Sequence, residues 1–374
     1  DREERPDLDK IYMTAVTAIT GSGGWPLNVF LTPDLKPFFG GTYFPPTPRQ
    51  GRLAWPDILR LIAVAWKDPS QRDKFHSFSS NLQESIANAL SWTSKDNVIN
   101  TDVIDKALDA FSLRFDKNLG GFSPAPKFPS PCIQNFLFAH YFYAKNSVKK
   151  EDVALLMGNA TLRAMANGGI YDQLGGGFHR YSTDARWHVP HFEKMLYDNA
   201  QLLKNYLDAF LITGDRFFEK IARETADYVL RDMTHLDGGF YSAEDADSLP
   251  SEKNIEDTDK KKAEGAFYVW EQKEINDLLG DGPGKIFSFR YGVEPEGNAE
   301  FDPVNEFKGK NILFNAHSIE EVAEKFDLSK EDIETSLIQS KLKLLAVRSK
   351  RHRPHLDDKV LTSWNGLMIS ALSR

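Results

Sequence analysis

The chain has 374 residues and carries 46 Lys and Arg against 54 Asp and Glu, which gives a formal net charge of −8. Because it is mildly acidic and has no basic stripe, we do not expect it to bind nucleic acid or an anionic membrane. Its single cysteine, Cys132, excludes an intrachain disulfide and a Cys-x-x-Cys redox pair.

The first predicted domain covers residues 1–92 and has the order helix, hairpin, helix, helix. Apolar residues at helical spacing predict helices over 8–19, 55–66 and 75–92. Two apolar runs, 27–31 and 37–45, are separated by a Pro-Asp turn and predict two strands. No apolar run reaches membrane-spanning length, and the scarcity of cysteine fits a reducing compartment, so we expect a cytoplasmic protein.

The second predicted domain, residues 93–374, begins with a polar linker at 95–101 and is then dominated by helices. Helical periodicity predicts helices over 103–115, 133–143, 152–165, 192–210, 217–230, 319–326, 331–347 and 361–372. A charged surface insertion is predicted at 251–262, and a strand at 264–270 that pairs with residues 239–242.

The tripeptide Gly-Gly-Phe recurs in this second domain at 120–122, 176–178 and 238–240. The spacings between the first glycines are 176 − 120 = 56 and 238 − 176 = 62 residues. A repeat of this length has room for two helices and a functional loop. Helical hairpins of this kind, closed in a ring, form an α/α toroid, and we expect its glycine-rich loops to gather at one end around a central cavity. The predicted fold class is therefore mainly α.

Seven motifs give a more specific indication, and they follow one another over nearly the whole chain. They are DREERPDLDKIYM, TGSGGWPLNVFLTPD, PFFGGTYFPP, GGFSPAPKFP, VPHFEKMLYDNAQL, GGFYSAEDADS and RPHLDDKVLTSWNGLM. Together they resemble the spermatogenesis-associated, thioredoxin-domain-containing family. In that family a thioredoxin-like domain precedes an (α/α)6 barrel of the six-hairpin glycosidase type.

The resemblance implies that residues 1–92 are the C-terminal half of a thioredoxin-like α/β domain, with Pro26 at the position that is commonly cis. It implies a barrel in residues 93–374 that is incomplete at the C-terminus. The chain begins without Met and stops within a helical pattern, so we expect a fragment. The family's cysteine-bearing segment would precede Asp1, and no redox role falls on a residue of this chain.

Polar residues concentrate in the loop that precedes the helix predicted at 192–210. Histidine titrates near neutrality and a neighbouring carboxylate can orient it, so this loop is a candidate site for acid/base chemistry. The alternative is that these residues cap and tie the loop. A metal site is not expected, because no histidine pair is spaced four apart on one helix face. The candidate catalytic residues here are His188, His191, Glu193 and Asp198, and the candidate substrate-binding residues are His179, Arg180, Tyr181, Asp184, Trp187 and Tyr197.

Two further clusters follow the third Gly-Gly-Phe loop and precede the last helix. Paired carboxylates are what glycoside hydrolysis requires, and exposed tryptophan faces can stack on a sugar ring. Loop ordering by the carboxylates and burial of the tryptophans are the alternatives. The candidate catalytic residues are Asp245, Asp247 and Asp358, and the candidate substrate-binding residues are Glu244, His355, Asp357, Trp364 and Asn365.

Resemblance to the sugar 2-epimerase branch of six-hairpin folds favours isomerisation by histidine, with His188 and His191 as bases oriented by Glu193 and Asp198. Hydrolysis by a carboxylate pair is the alternative within the same class. A non-catalytic binding scaffold, with thiol redox chemistry in the missing segment, is the alternative from another class. The expected ligand is a small saccharide, and no cofactor or metal is expected.

Overall fold

A computed structural model divides the chain into two compact units, Asp1–Ile99 and Asn100–Arg374. The structure describes residues 2, 4–49, 51–91, 102–143, 150–250, 262–300, 302 and 305–374. The predicted linker at 95–101 lies outside the described residues. So does the predicted insertion at 251–262, except for Lys262.

The described residues of the first unit form a two-stranded antiparallel hairpin and three helices. Its hairpin register is irregular between Phe30 and Leu31, and the peptide bond between Trp25 and Pro26 is cis, as the resemblance implied. Helix α1 packs against both the hairpin and α3 because Ala15 and other small or apolar residues form one buried face. The elements are α1 Pro6–Thr20, β1 Asn28–Leu31, β2 Pro37–Gly41, α2 Trp55–Lys67 and α3 Pro69–Leu90.

The described part of the second unit is mainly helical, with short strands in the connections between helices. Its helices are α4 Asp102–Arg114, α5 Pro131–Tyr143, α6 Lys150–Asn167, α7 Leu196–Thr213, α8 Arg216–Asp232, α9 Gln272–Leu279, α10 Asp281–Arg290, α11 Ile319–Phe326, α12 Lys330–Arg348 and α13 Thr362–Ser373. Its strands are β3 Tyr181–Ser182, β4 Pro190–His191, β5 Lys194–Met195, β6 Ala243–Glu244, β7 Asp247–Ser248, β8 Ala263–Glu264 and β9 Leu356–Asp357.

Successive helices of this unit pack in pairs, α5 on α6 and α7 on α8, and α7 also contacts α5 and α13. Gly214 ends α7 in the left-handed conformation and the Asp215 carboxylate caps α8, so a two-residue connection joins the two helices as a hairpin. Apolar side chains of α6, α7, α8 and α13 share one core. The predicted mainly α fold, with helices packed in pairs, is confirmed.

In the first unit, the strand predicted at 37–45 ends at Gly41 and the helix predicted at 75–92 begins at Pro69. In the second unit, three larger differences from the sequence prediction occur. The helix predicted from residue 192 begins at Leu196, because the preceding residues form β4 and β5. The strand predicted at 264–270 is confined to β8, since Gly265 turns the chain with a positive φ of 68°, and β8 pairs with β7 rather than with residues 239–242. Helices α9 and α10 were not predicted, because the glycines at 280, 282 and 284 interrupt the helical pattern.

Within the described residues, none of the helices combines the length and apolarity that a membrane crossing requires.

Candidate active site

The three Gly-Gly-Phe loops share one backbone feature. Both glycines of each loop have a positive φ, at Gly120 and Gly121, Gly176 and Gly177, and Gly238 and Gly239. Helix asparagines fix the phenylalanines of the last two loops through two hydrogen bonds each. Asn199 bonds the backbone of Phe178 in this way, and Asn365 bonds that of Phe240. Asn365, a predicted substrate-binding residue, therefore holds a loop in place.

A three-stranded sheet then brings the three predicted polar clusters together. Strand β6 lies between β5 and β9, pairing Lys194 with Glu244 and Ala243 with Asp357. Residues far apart in sequence thus meet at the start of α7.

Residues 191–194 alternate between two environments. His191 and Glu193 keep 28% and 24% of their side-chain surface exposed, whereas Phe192 and Lys194 are 1% exposed. This is the alternation of extended backbone, in which successive side chains point to opposite faces. The same short segment therefore contributes to a solvent-accessible cluster and to a buried one.

His191 is the centre of the accessible cluster. Its Nδ1–H donates to the Glu264 carboxylate at 2.7 Å, and its Nε2 lies 3.9 Å from a carboxylate oxygen of Glu193. The ring of Tyr181 stacks on the imidazole, with centroids 5.0 Å apart. Burial lowers the pKa of His191, but the hydrogen bond with Glu264 and the charges of Glu264 and Glu193 outweigh burial, so the pKa is raised.

Asp198 lies beside this histidine cluster in the first turn of α7. It is 7% exposed, and no described residue donates a hydrogen bond to its carboxylate. Burial raises the pKa of Asp198 to about 8, against the lowering influence of Arg180, whose guanidinium pairs with Glu193 at 2.7 Å. A carboxyl group with such a pKa keeps its proton at pH 7 and can act as a general acid.

Asp247 completes the cluster. It pairs with Glu264 across β7 and β8, and burial together with the charges of Asp245 and Glu264 raises its pKa. We call the six residues Arg180, His191, Glu193, Asp198, Asp247 and Glu264 the acid/base cluster.

Other predicted residues of the loop lie away from the acid/base cluster. His188 is 9% exposed, and its Nε2 lies 3.4 Å from the Ile312 carbonyl at a separate cavity of about 420 Å³. His179 is 1% exposed, with its Nδ1 2.9 Å from the carbonyl of Phe192. Burial lowers the pKa of both histidines.

Two further loop residues hold the backbone. Trp187 is 1% exposed and its indole N–H donates to the carbonyl of Leu119 at 2.9 Å, so neither ring face is open to a ligand. The Asp184 carboxylate accepts from the backbone amides of Arg186, His188 and Val189. Trp187 and Asp184 therefore agree with the alternative to substrate binding given above, in which the tryptophan is buried and the polar residues tie the loop.

The remaining predicted residues fall into three settings. Tyr197 and Trp364 meet edge to face at 4.7 Å. Asp245 lies 3.9 Å from Lys262 and Asp357 lies 3.0 Å from Lys359, while His355 and Asp358 are exposed. Glu244 is 2% exposed and faces away from the acid/base cluster.

Sequence reasoning missed a repeated ion pair beneath the Gly-Gly-Phe loops. In the first loop, Lys127 donates to Asp116 and to the carbonyl of Gly120, each at 2.8 Å. In the second loop, Lys194 donates to Asp172 and to the carbonyl of Gly176, each at 2.9 Å. We call Asp116–Lys127 the first loop pair and Asp172–Lys194 the second loop pair.

Each loop-pair carboxylate also accepts the backbone amides two and three residues ahead of it. The lysines lie 11 and 22 residues after their aspartates, so the two loop pairs have no common spacing from which the sequence could predict them. Glu264, the partner of His191, was missed for a similar reason, since 73 residues separate the two.

Among the described residues, no three His, Cys, Asp or Glu side chains converge in a way that would hold a metal ion. Cys132 is exposed.

With the geometry in place, known proteins offer a comparison. The family model Thioredox_DsbH, described as a protein of unknown function, DUF255, matches residues 1–87. Human spermatogenesis-associated protein 20 is 42% identical over 388 residues, covering 99% of this chain and 48% of the human protein. The mouse protein of the same name is 42% identical over 391 residues, covering 100% of this chain and 48% of its own length. The predicted family resemblance is confirmed. The chain spans about half the length of the curated relatives it matches.

Solved structures with partial likeness include a sugar epimerase from a ruminal bacterium, with a TM-score of 0.33 and 13% identity over 69% of this chain and 76% of that one. They also include cellobiose 2-epimerase from Bacillus thermoamylovorans, with a TM-score of 0.33 and 14% identity over 67% and 72%. A family 76 glycoside hydrolase (mannosidase) from Bacteroides thetaiotaomicron has a TM-score of 0.32 and 12% identity over 93% and 83%.

Proposed function

We propose that the second unit performs proton-transfer chemistry on a small saccharide, of the epimerase or isomerase class. The observation that carries the proposal is the contact between His191 and Glu264. The His191 Nδ1 lies 2.7 Å from a carboxylate oxygen of Glu264, and 28% of the His191 side-chain surface is exposed. Because a carboxylate can only accept, Nδ1 carries a proton, and in the neutral form of the ring Nε2 holds the free electron pair. Burial lowers the pKa of His191, but Glu264 and Glu193 outweigh burial and raise it, so His191 is a stronger base than a free imidazole, which suits removal of a proton beside a carbonyl.

Asp198 supplies the complementary group. With a pKa of about 8 it carries a proton at pH 7, so it can return a proton to the carbon that His191 has deprotonated. Both residues flank the Arg180–Glu193 ion pair, whose guanidinium can stabilise the negative charge that develops on the substrate oxygen. Tyr181 and Trp364 offer aromatic surface for a sugar ring.

Glycoside hydrolysis is the second candidate, and Asp198 is the observation that favours it. Hydrolysis needs one protonated carboxyl group and one ionised carboxylate. Asp198 meets the first requirement, and Glu193, which lies 2.7 Å from the Arg180 guanidinium, is the candidate for the second. The third hypothesis is that the second unit binds a ligand without catalysing a reaction.

The test uses the full-length protein with a panel of mono- and disaccharides in deuterated water, followed by NMR. Deuterium entering C2 is the expected result, with a loss of about 10²-fold or more in His191→Gln. Glu264→Gln should lower the pKa of His191, measured from its imidazole signals, and move the rising limb of the pH–rate profile to lower pH.

His235→Gln is the matched control, since His235 is a partly exposed histidine outside the acid/base cluster. Release of monosaccharide without exchange, abolished in Asp198→Asn, would replace isomerisation by hydrolysis. Neither exchange nor release from any sugar of the panel would contradict both enzymatic proposals and leave the binding scaffold.

A further inference from the structure

A second cavity, of about 450 Å³, lies between α8 and α12 on the Lys194 side of β5. We call it the α8–α12 cavity. Its volume is within the range of small-molecule sites. None of the acid/base cluster lines it, so it is a separate feature of the second unit.

Seven of the fourteen lining residues are charged, and each of the seven forms an ion pair with another of them. Both terminal guanidinium nitrogens of Arg348 donate to Asp172, at 2.7 and 2.8 Å, and the Lys194 ammonium donates to the same carboxylate. Lys194 and Arg348 are 1% and 4% exposed. Two buried cations thus share one buried carboxylate.

The whole lining keeps this excess of positive charge. Four cations, Lys194, Arg231, Arg348 and Arg353, face three carboxylates, Asp172, Asp232 and Glu244. Each cation has a carboxylate partner, but Arg231 and Arg353 keep 42% of their side-chain surface exposed and can therefore attract an anion into the cavity.

Two donors of the lining have no partner among the described residues. The Nε of Arg348 is buried without a hydrogen bond. The hydroxyl group of Tyr268, a residue 7% exposed, donates to no described group, whereas the neighbouring Tyr228 hydroxyl donates to Glu244 at 2.6 Å. A buried donor without a partner, such as the Arg348 Nε, is rare in native proteins and is usually satisfied by a ligand or water.

The rest of the lining is aromatic or aliphatic. The rings of Phe267 and Tyr268 form part of the wall, and Leu342, Leu345 and Ala346 of α12 form another part. Phe267 and Tyr268 are 4% and 7% exposed and the Arg348 guanidinium lies over both rings, so their faces are already covered. The aliphatic side chains of α12, with Leu342 63% exposed, supply apolar surface for the carbon skeleton of a small organic ligand.

We propose that the α8–α12 cavity binds a small organic anion that carries a carboxylate or a phosphate, such as a sugar acid or a sugar phosphate. Its anionic group accepts hydrogen bonds from Arg348 Nε and the Tyr268 hydroxyl, and its carbon skeleton lies against the aliphatic side chains of α12. This binding does not depend on the proton-transfer chemistry at the acid/base cluster.

Isothermal titration calorimetry on the full-length protein at low salt tests the proposal, with glucuronate, glucose 6-phosphate, inorganic phosphate and glucose as probes. We expect saturable binding of glucuronate or glucose 6-phosphate, and whichever binds identifies the anion. Tyr268→Phe removes only the hydroxyl and should weaken binding about tenfold. Arg231→Gln removes the excess cation and should weaken binding and reduce its salt dependence.

Arg223→Gln is the matched control, because Arg223 also lies on α8 but is 75% exposed and outside the cavity lining. It should bind the probes as the wild type does. Four results would overturn the proposal: no binding of either sugar anion, equal binding of glucose, inorganic phosphate binding as tightly as glucose 6-phosphate, or unchanged affinity in both Tyr268→Phe and Arg231→Gln.

Discussion

The first and second loop pairs have the same arrangement of side chains but differ in their environment. In each, a lysine that is 1% exposed bridges an aspartate and a glycine carbonyl under a Gly-Gly-Phe loop. The Asp116 side chain keeps 30% of its surface exposed and has one cationic partner, whereas that of Asp172 keeps 3% and has two. The difference is Arg348. The first loop pair has one cation for one carboxylate, whereas in the second loop pair Lys194 and Arg348 share the buried carboxylate of Asp172.

Removing the aspartate from each loop pair should produce the largest contrast. Asp172→Asn leaves two buried cations without their carboxylate, and we expect a loss of about 3–5 kcal/mol in the free energy of unfolding. Asp116→Asn leaves one cation beside a partly solvated position, and we expect about 1–3 kcal/mol. Urea denaturation of both variants measures the two losses, and equal losses would show that the pairs are energetically equivalent.

Converting the second loop pair into a copy of the first should have an intermediate effect. Arg348→Met removes the second cation but leaves Asp172 bonded to Lys194 and to two backbone amides. We expect a cost of about 1–3 kcal/mol. Arg216→Met, at a side chain 85% exposed on α8, is the control and should stay within about 0.5 kcal/mol of wild type.

The double variant Asp172→Asn/Arg348→Met sharpens this test. Because the two residues act through each other, its cost should be smaller than the sum of the single costs. Strict additivity would mean that Arg348 stabilises the fold by other contacts.

Acid titration should give the smallest contrast between the loop pairs. The hydrogen bond from Lys127 lowers the pKa of Asp116. Burial raises the pKa of Asp172, but Arg348 and Lys194 outweigh burial and hold it well below its usual range. A lowered pKa stabilises the folded state above the unfolded value of about 3.9 and loses that contribution as pH falls through the folded value.

The stability advantage of wild type over Asp116→Asn should therefore shrink at a higher pH than its advantage over Asp172→Asn. Free energies of unfolding measured in steps below pH 5 would reveal the order. If both stability advantages were lost over the same pH range, the expected difference in pKa between Asp116 and Asp172 would be contradicted.

Periodicity was sufficient for most of the fold because helix formation is local. Helix α11 was predicted at its observed bounds, and its capping box between Ser318 and Glu321 is a signal within a few residues. The pattern failed where an extended segment and a helix share one apolar run, as at Phe192. It also failed where glycines interrupt a helical pattern, as at 280–284.

The candidate site was only partly predictable, since side-chain partners depend on how distant segments meet. The sequence pointed to the right loop and to His191, but not to Glu264, because nothing local relates residues 73 positions apart. Nor did composition distinguish His191 from His188, whose ring is directed into another cavity. Local sequence says little about which histidine stays hydrated.

The contact between Asp172 and Arg348 joins residues 176 positions apart. It cannot form until Arg348, at the end of α12, has been synthesised, and closing a loop of this length carries an entropic cost that later contacts must repay. Both residues line the α8–α12 cavity, so the cavity depends on segments that are distant in sequence. We therefore expect ligand binding there to report the packing of these distant segments rather than the formation of any single helix.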